Sequence, residues 1–169
     1  MKTKPSLINL GLTLIEILVV TTILIMLIGG SIAGYGSFNQ KQRLISSGLT
    51  LKNTLRSAQS KAFTGETPCS TPIPLIGWNV DLDNRSVYAT CGYTTPSPGP
   101  TVKFTLQPNI TIAATPSIPI VFSNFPQRVN IEETICLNNT QLNNRYYQLG
   151  IQTSGNIKDT GLVDVCVAN

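Results

Sequence analysis

The chain has 169 residues, four cysteines, no histidine and a formal net charge of +4, of which Lys2 and Lys4 supply two. The missing histidine excludes His-based acid–base catalysis and histidine metal ligation. A charged fraction of 12%, against the usual 25% or so, with 13 glycines and 11 prolines, argues against a helical cytosolic enzyme and for a β-rich extracytoplasmic domain. The length fits one membrane helix plus one small domain and would crowd two soluble domains.

The chain opens with the polar leader MKTKPSLINL and Gly11, then the apolar run Leu12–Ile28, in which the only polar side chains are Thr13, Glu16, Thr21 and Thr22. As a helix this run covers roughly 25 Å, and continued through Ala33 about 33 Å, enough for a hydrocarbon core of about 30 Å. Three readings compete. A secretory signal peptide would be cut near Ser31-Ile32-Ala33, and a plain signal anchor would not be cut at all. Both leave unexplained a carboxylate, Glu16, inside the apolar run, where it costs a few kcal/mol on insertion scales. A cut after Gly11 instead makes Leu12 a charged amino terminus one helical turn from Glu16, giving the carboxylate a cationic partner in its own chain or in a neighbour.

Gly11-Leu12-Thr13-Leu14-Ile15-Glu16 followed by Ile-Leu-Val-Val resembles the processing signal of type IV prepilins and type II secretion pseudopilins. That resemblance implies cleavage after Gly11 by a membrane prepilin peptidase, N-methylation at Leu12, and Glu16 as an assembly contact. Leu12 departs from the phenylalanine most common in the family after the cut. Four segments are expected: a leader over 1–11, a transmembrane and assembly helix over 12–36, an amphipathic helix over 37–64 and a β-rich extracytoplasmic domain over 65–169.

Gly29, Gly30, Gly34 and Gly36 each cost up to about 1 kcal/mol in a helix interior, so the helix should be weakest there. From Phe38 to Phe63 it resumes, and Leu44, Gly48, Leu51, Leu55, Ala58 and Ala62 recur at three- and four-residue steps as one apolar stripe. Arg43, Lys52, Arg56 and Lys61 should then stay wet. With Lys41 they form a basic group over 37–62 without an acid, best read as a solvated face near anionic headgroups. The run Leu55–Ala62 resembles the helix end of H-type, FimT-like minor pseudopilins, and Gly77-Trp78 before a short alternating strand is similar to their first strand.

Gly65 and Pro68, Pro72 and Pro74 stop the helix. Residues 77–83 and 85–91 alternate in period two around Asp83-Asn84 and predict a hairpin, with Trp78 in the core. Residues 94–100 are expected as a loop, since their prolines exclude a central strand. Strands are predicted over 102–106, 110–114, 118–123, 129–137, 146–153 and 162–167, with a turn at Ser154-Gly155-Asn156. Family members often carry arginine where Asn156 stands. The fold class expected is α+β: a long N-terminal helix packed on a twisted antiparallel sheet, or on two small sheets, in a pilin-like domain.

Cys69, Cys91, Cys136 and Cys166 match no zinc or redox spacing, and an even count in an exported domain reads as two disulfides. Three pairings are open. Cys69 with Cys91 and Cys136 with Cys166 is favoured, each closing a local loop worth roughly 3 kcal/mol. Asp81, Asp83 and Asn84 lack the twelve-residue calcium pattern and read as a turn. The Asn-x-Ser/Thr triplets at Asn84, Asn109 and Asn138 carry no assigned role.

These features predict a non-enzymatic structural subunit without metal or cofactor. It would be held single-pass in a bacterial inner membrane with its C-terminal domain outside, and be built into a type II secretion or type IV pilus filament. Its partners, as the resemblance implies, would be other pilin or pseudopilin subunits, the prepilin peptidase and the inner-membrane assembly platform. The alternative is a FimT-like minor pilin that captures DNA, a salt-sensitive binding mode. It is poorly supported, because no basic tail follows Asp164 and aromatics are not interleaved with Lys or Arg.

Overall fold

The structure, a computed structural model, describes residues 13–92, 97–114, 118–124 and 128–167. Its single long helix, α1, spans Leu14–Thr64. The strands are β1 (Leu75–Asp81), β2 (Ser86–Cys91), β3 (Ser97–Lys103), β4 (Ile110–Ala114), β5 (Ile120–Ser123), β6 (Arg128–Val129), β7 (Glu133–Asn139), β8 (Tyr146–Ile151) and β9 (Ile157–Val163). The chain divides into two compact units, residues 1–38 and 39–169.

In the first unit Thr13 caps α1. Its hydroxyl and carbonyl accept from the Glu16 amide at 3.3 and 3.1 Å, and Glu16 stands in the first turn, where its charge suits the positive end of the helix dipole. The apolar run from Leu14 to Ile28 advances only about 22 Å before Gly29. Among the described residues no helix is long and apolar enough to cross a membrane. The expected span of about 33 Å began at Leu12, outside the described residues, and ran on through glycines and serine to Ala33. Nor does the helix pause and resume: α1 is continuous through Gly29–Gly36, where no proline removes a backbone donor.

In the second unit α1 buries Leu44, Gly48, Leu51, Leu55, Ala58 and Ala62, the stripe expected from the sequence, with Ser47 beside it. Leu44, Leu51 and Leu55 are fully enclosed, each stabilising by about 1.5–3 kcal/mol. The stripe shares one core with two antiparallel sheets, ordered β3-β2-β1-β5-β6 and β4-β7-β8-β9. Trp78, Val80, Ile120 and Phe122 come from the first sheet, and Ile135, Leu137, Tyr147, Leu149 and Ile151 from the second. The α+β class thus stands, in its two-sheet form.

Polar contacts fix the helix along the second sheet. The buried Asn139 amide donates to Gln40 O and Oε1, Lys52 Nζ donates to Asp159 Oδ2 at 2.7 Å, and Gln59 Nε2 donates to Gly155 O at 2.6 Å. Gly48 lies against the Tyr147 ring, which a Cβ there would overlap. Gly155, with φ of +86°, also leaves no room for a Cβ beside Gln59 and Phe63.

Several strand boundaries differ from expectation. Residues 97–103 form β3 despite Pro98 and Pro100, which is tolerated because β3 is the edge strand of its sheet. The run expected over 129–137 is divided between β6 and β7, in different sheets. Asn130 makes the transition: its Oδ1 accepts from Val121 N at 2.7 Å and its Nδ2 donates to Pro119 O at 3.1 Å. The last strand is Ile157–Val163, not 162–167; Lys158, Asp159 and Gly161 look turn-like in sequence, yet an edge strand exposes Lys158 and Thr160 at no cost. The hairpin β1–β2 turns through residues 82–85, with Asp81 accepting from the Asn84 amide at 2.9 Å and from its side chain at 2.7 Å.

Replacing Gly48 with alanine tests the close approach of helix and sheet. On an open helix face the change would stabilise by about 1 kcal/mol. Against the Tyr147 ring it should instead destabilise by about 1–3 kcal/mol, read as a lower urea midpoint at unchanged slope.

Candidate functional site

The residues singled out by the sequence fall in different places. Gly11 and Leu12, the expected processing junction, lie outside the described residues. Glu16 belongs to the first unit and the four cysteines to the second. Cys69 is bonded to Cys91 and Cys136 to Cys166, with Cα separations of 5.8 and 6.0 Å. The first bond ties the loop after α1 to the end of β2, and the second ties the segment after β9 to the middle of β7. No group of three or more metal-ligating side chains forms among the described residues.

The surface around Glu16 is apolar on every side. Leu14 is 84% exposed and Met26 79%, and Ile15, Ile17, Leu18, Ile23 and Leu27 are exposed as well. Thr21 and Thr22 do not make this surface polar, because their hydroxyls donate back to Leu18 O and Val19 O at 3.0 and 2.8 Å. Soluble monomers rarely expose contiguous apolar patches larger than a few hundred Å², so this surface marks a site of contact with another protein or with a membrane.

The basic group expected to stay wet is partly spent on internal contacts. Lys52 is half-buried in its pair with Asp159, which also accepts from Tyr147 Oη at 3.0 Å and, through Oδ1, from Gly161 N at 3.1 Å. Burial alone would raise the Asp159 pKa; hydrogen bonds from Lys52 and Tyr147, the Lys52 charge and the Gly161 amide outweigh it and hold the carboxyl below its ordinary 3.8. For Tyr147 burial, the Asp159 hydrogen bond and the Asp159 charge act together and push the phenol up to about 12. Lys61 lies 4.6 Å from the centroid of the Trp78 ring and pairs with Glu66 at 2.9 Å. Trp78 is a core residue, as expected, and its Nε1 donates to Glu66 O at 2.8 Å. Of the five bases only Arg56 is exposed; Lys41 and Arg43 are half-buried.

The Asn-x-Ser/Thr triplets have local structural uses. Asn84 closes the hairpin, Asn109 adopts φ of +66° in the turn before β4, and Asn138 Oδ1 accepts from the Thr111 hydroxyl across β4 and β7. Asp81 bears out the turn reading. Burial would raise its pKa, but the bonds from Asn84 prevail and lower it.

One concave feature had no sequence signal. A groove of about 420 Å³ lies beside α1, floored by Trp78, Val87, Val102 and Phe104 and walled on the helix side by Asn53 and Ser57. Its lining runs from Thr50 to Phe104, 54 positions apart in sequence, and the β2–β3 pairing places Val87 opposite Val102 on its floor.

Compared with family models, curated proteins and solved structures, the chain matches none.

The Lys52–Asp159–Tyr147 contact predicts two pH effects. A carboxyl with a depressed folded pKa stabilises above its unfolded pKa and loses that contribution as pH falls through the folded value. Asp159→Asn should therefore cost about 1.5–3 kcal/mol at neutral pH, and the difference from the parent should vanish well below pH 3.8. At the alkaline end, a phenolate absorbance titration of the folded protein should show one tyrosine ionising near 12, absent in Tyr147→Phe.

Proposed function

We propose that the chain is a minor pseudopilin or pilin-like structural subunit, held in a bacterial inner membrane by the apolar run that starts at Leu12 and built into a type II secretion or type IV pilus filament. The single observation carrying this reading is the apolar surface of α1 from Leu14 to Ile28, exposed all round and ended by a capped turn that carries Glu16. Such a surface is covered by lipid while the subunit is stored and by neighbouring helices once it is assembled. The second observation is the Gly11-Leu12 junction placed immediately before that helix.

In this reading a prepilin peptidase cuts after Gly11, the new Leu12 terminus is N-methylated, and an assembly platform adds the subunit to the filament. An unpaired carboxylate among packed helices is unfavourable, so Glu16 seeks the Leu12 amine of a neighbour and selects one axial register. The extracytoplasmic unit is then the part presented outside the helix bundle, with its fold closed by two disulfides.

Mass spectrometry of the protein from its native host should find an N-terminus at Leu12, methylated; a terminus near Gly34 would overturn the reading in favour of a signal peptide. Glu16→Ala should leave membrane insertion and the folding of residues 39–169 unchanged while reducing crosslinking between adjacent helices severalfold. Wild-type crosslinking together with wild-type secretion or piliation would show that the carboxylate is not an assembly contact.

A further inference from the structure

Among the described residues of the second unit the most exposed large apolar side chains are Val102, at 63%, and Val165 and Val167, at 68% and 59%. They occupy two different kinds of surface. Val102 projects into the groove beside α1 from the edge strand β3. Val165 and Val167 belong to the irregular segment that follows β9, held to the second sheet by the Cys136–Cys166 bond and by Asp164 on Arg145 at 2.7 Å.

We propose that the groove between α1 and β3 receives the Asp164–Val167 segment of a second copy of this chain, which pairs as a short added strand on the free edge of β3. It rests on the reading of the chain as a filament subunit, and names the contact between its extracytoplasmic units.

The strand alternation supplies the fit. Phe104 N donates to Arg85 O at 3.0 Å, and Ser86 lies opposite Lys103 and Val87 opposite Val102. Phe104 and Val102 therefore bond toward β2, and Thr101 and Lys103 turn their backbone N–H and C=O groups to the open edge. Pro98 and Pro100 carry no N–H, so the edge that can accept a partner is confined to a few residues around Thr101–Lys103. A segment of four residues matches that length. In an extended Asp164–Val167 segment, Val165 and Val167 share one face and Asp164 takes the other. The valines then meet Val102 over the apolar floor, and Asp164 falls on the side of the Lys103 side chain.

Charge agrees with shape. Among the described residues no carboxylate lines the groove and Lys103 has no ion-pair partner. Asp164 is already paired with Arg145, but both side chains are largely exposed, and such surface pairs contribute little and exchange readily. Because the segment is tethered to β7 and to Arg145 just before β8, and the groove lies between α1 and the first sheet, the contact joins unlike surfaces of two copies. A heterologous contact of this kind propagates and does not close into a two-fold dimer.

The test uses the full chain in its host membrane, with a photoreactive benzoyl-phenylalanine at position 102 and, in a parallel sample, at position 26 in the apolar helix. Irradiation of the position-102 sample should give a covalent dimer whose crosslinked peptide contains residues 164–167 of the second copy. Asp164→Lys should lower that yield severalfold, and adding Lys103→Asp should restore it, with the Cys136–Cys166 bond confirmed by peptide mapping in every variant. Position 102 reacting only with another protein, only with lipid or with nothing would overturn the docking, as would a yield indifferent to both charges. If position 26 crosslinks between copies in that case, the filament reading survives. Crosslinking at 102 without any at 26 would support the docking and overturn the helix bundling.

Discussion

The second unit depends on the seam where one helical stripe meets two sheets. Leu44, Leu51, Leu55, Ala58 and Ala62 supply a continuous apolar face with no protruding side chain near its middle, because Gly48 leaves the Tyr147 ring in direct contact with the helix backbone. Neither sheet could bury its inner face without that stripe, and the strands reach it by passing between the sheets: β1 to β3 in one, β4 in the other, β5 and β6 back in the first, then β7 to β9. Interleaving of this kind makes the helix the common neighbour of segments far apart in sequence.

Around this seam the polar groups are satisfied, not merely tolerated. Among the described residues no buried side-chain nitrogen or oxygen lacks a partner. Asn139, fully enclosed, bonds to Gln40 and accepts from Gln141 N at 2.9 Å, and Asn79 donates to Thr90 Oγ1 at 2.5 Å. Leaving such groups unpaired would cost about 1–3 kcal/mol each, which is why they discriminate between alternative ways of laying the helix on the sheets.

What the sequence made legible follows from periodicity. The helical stripe, the β1–β2 hairpin and the strand β4 repeat locally, and local repetition is what a reading of residues can measure. The pairing favoured for the cysteines is the one present, two local loops. The edge strands β3 and β9 are poorly legible, since β3 carries prolines and β9 carries Lys158, Asp159 and Gly161, and only their place at a sheet margin makes those residues acceptable. Lys52 was expected in solvent because its partner, Asp159, is 107 residues away. The groove was invisible for the same reason: Trp78 announced a core residue, but nothing local told that Val102 would stand open beside it. In the first unit Thr13 caps the helix through the Glu16 backbone amide, a bond that any residue at position 16 could make, so the cap leaves the Glu16 carboxylate free for another role.

The spacing of the helix–sheet contacts bears on how the unit carries load. Gln40, Gly48, Lys52 and Gln59 meet the second sheet at intervals over about 28 Å of helix. A pull along the helix axis strains all of these contacts together, in shear, whereas a pull at right angles from one end would open them in turn. The arrangement therefore resists axial tension far better than peeling, and its mechanical strength has a direction.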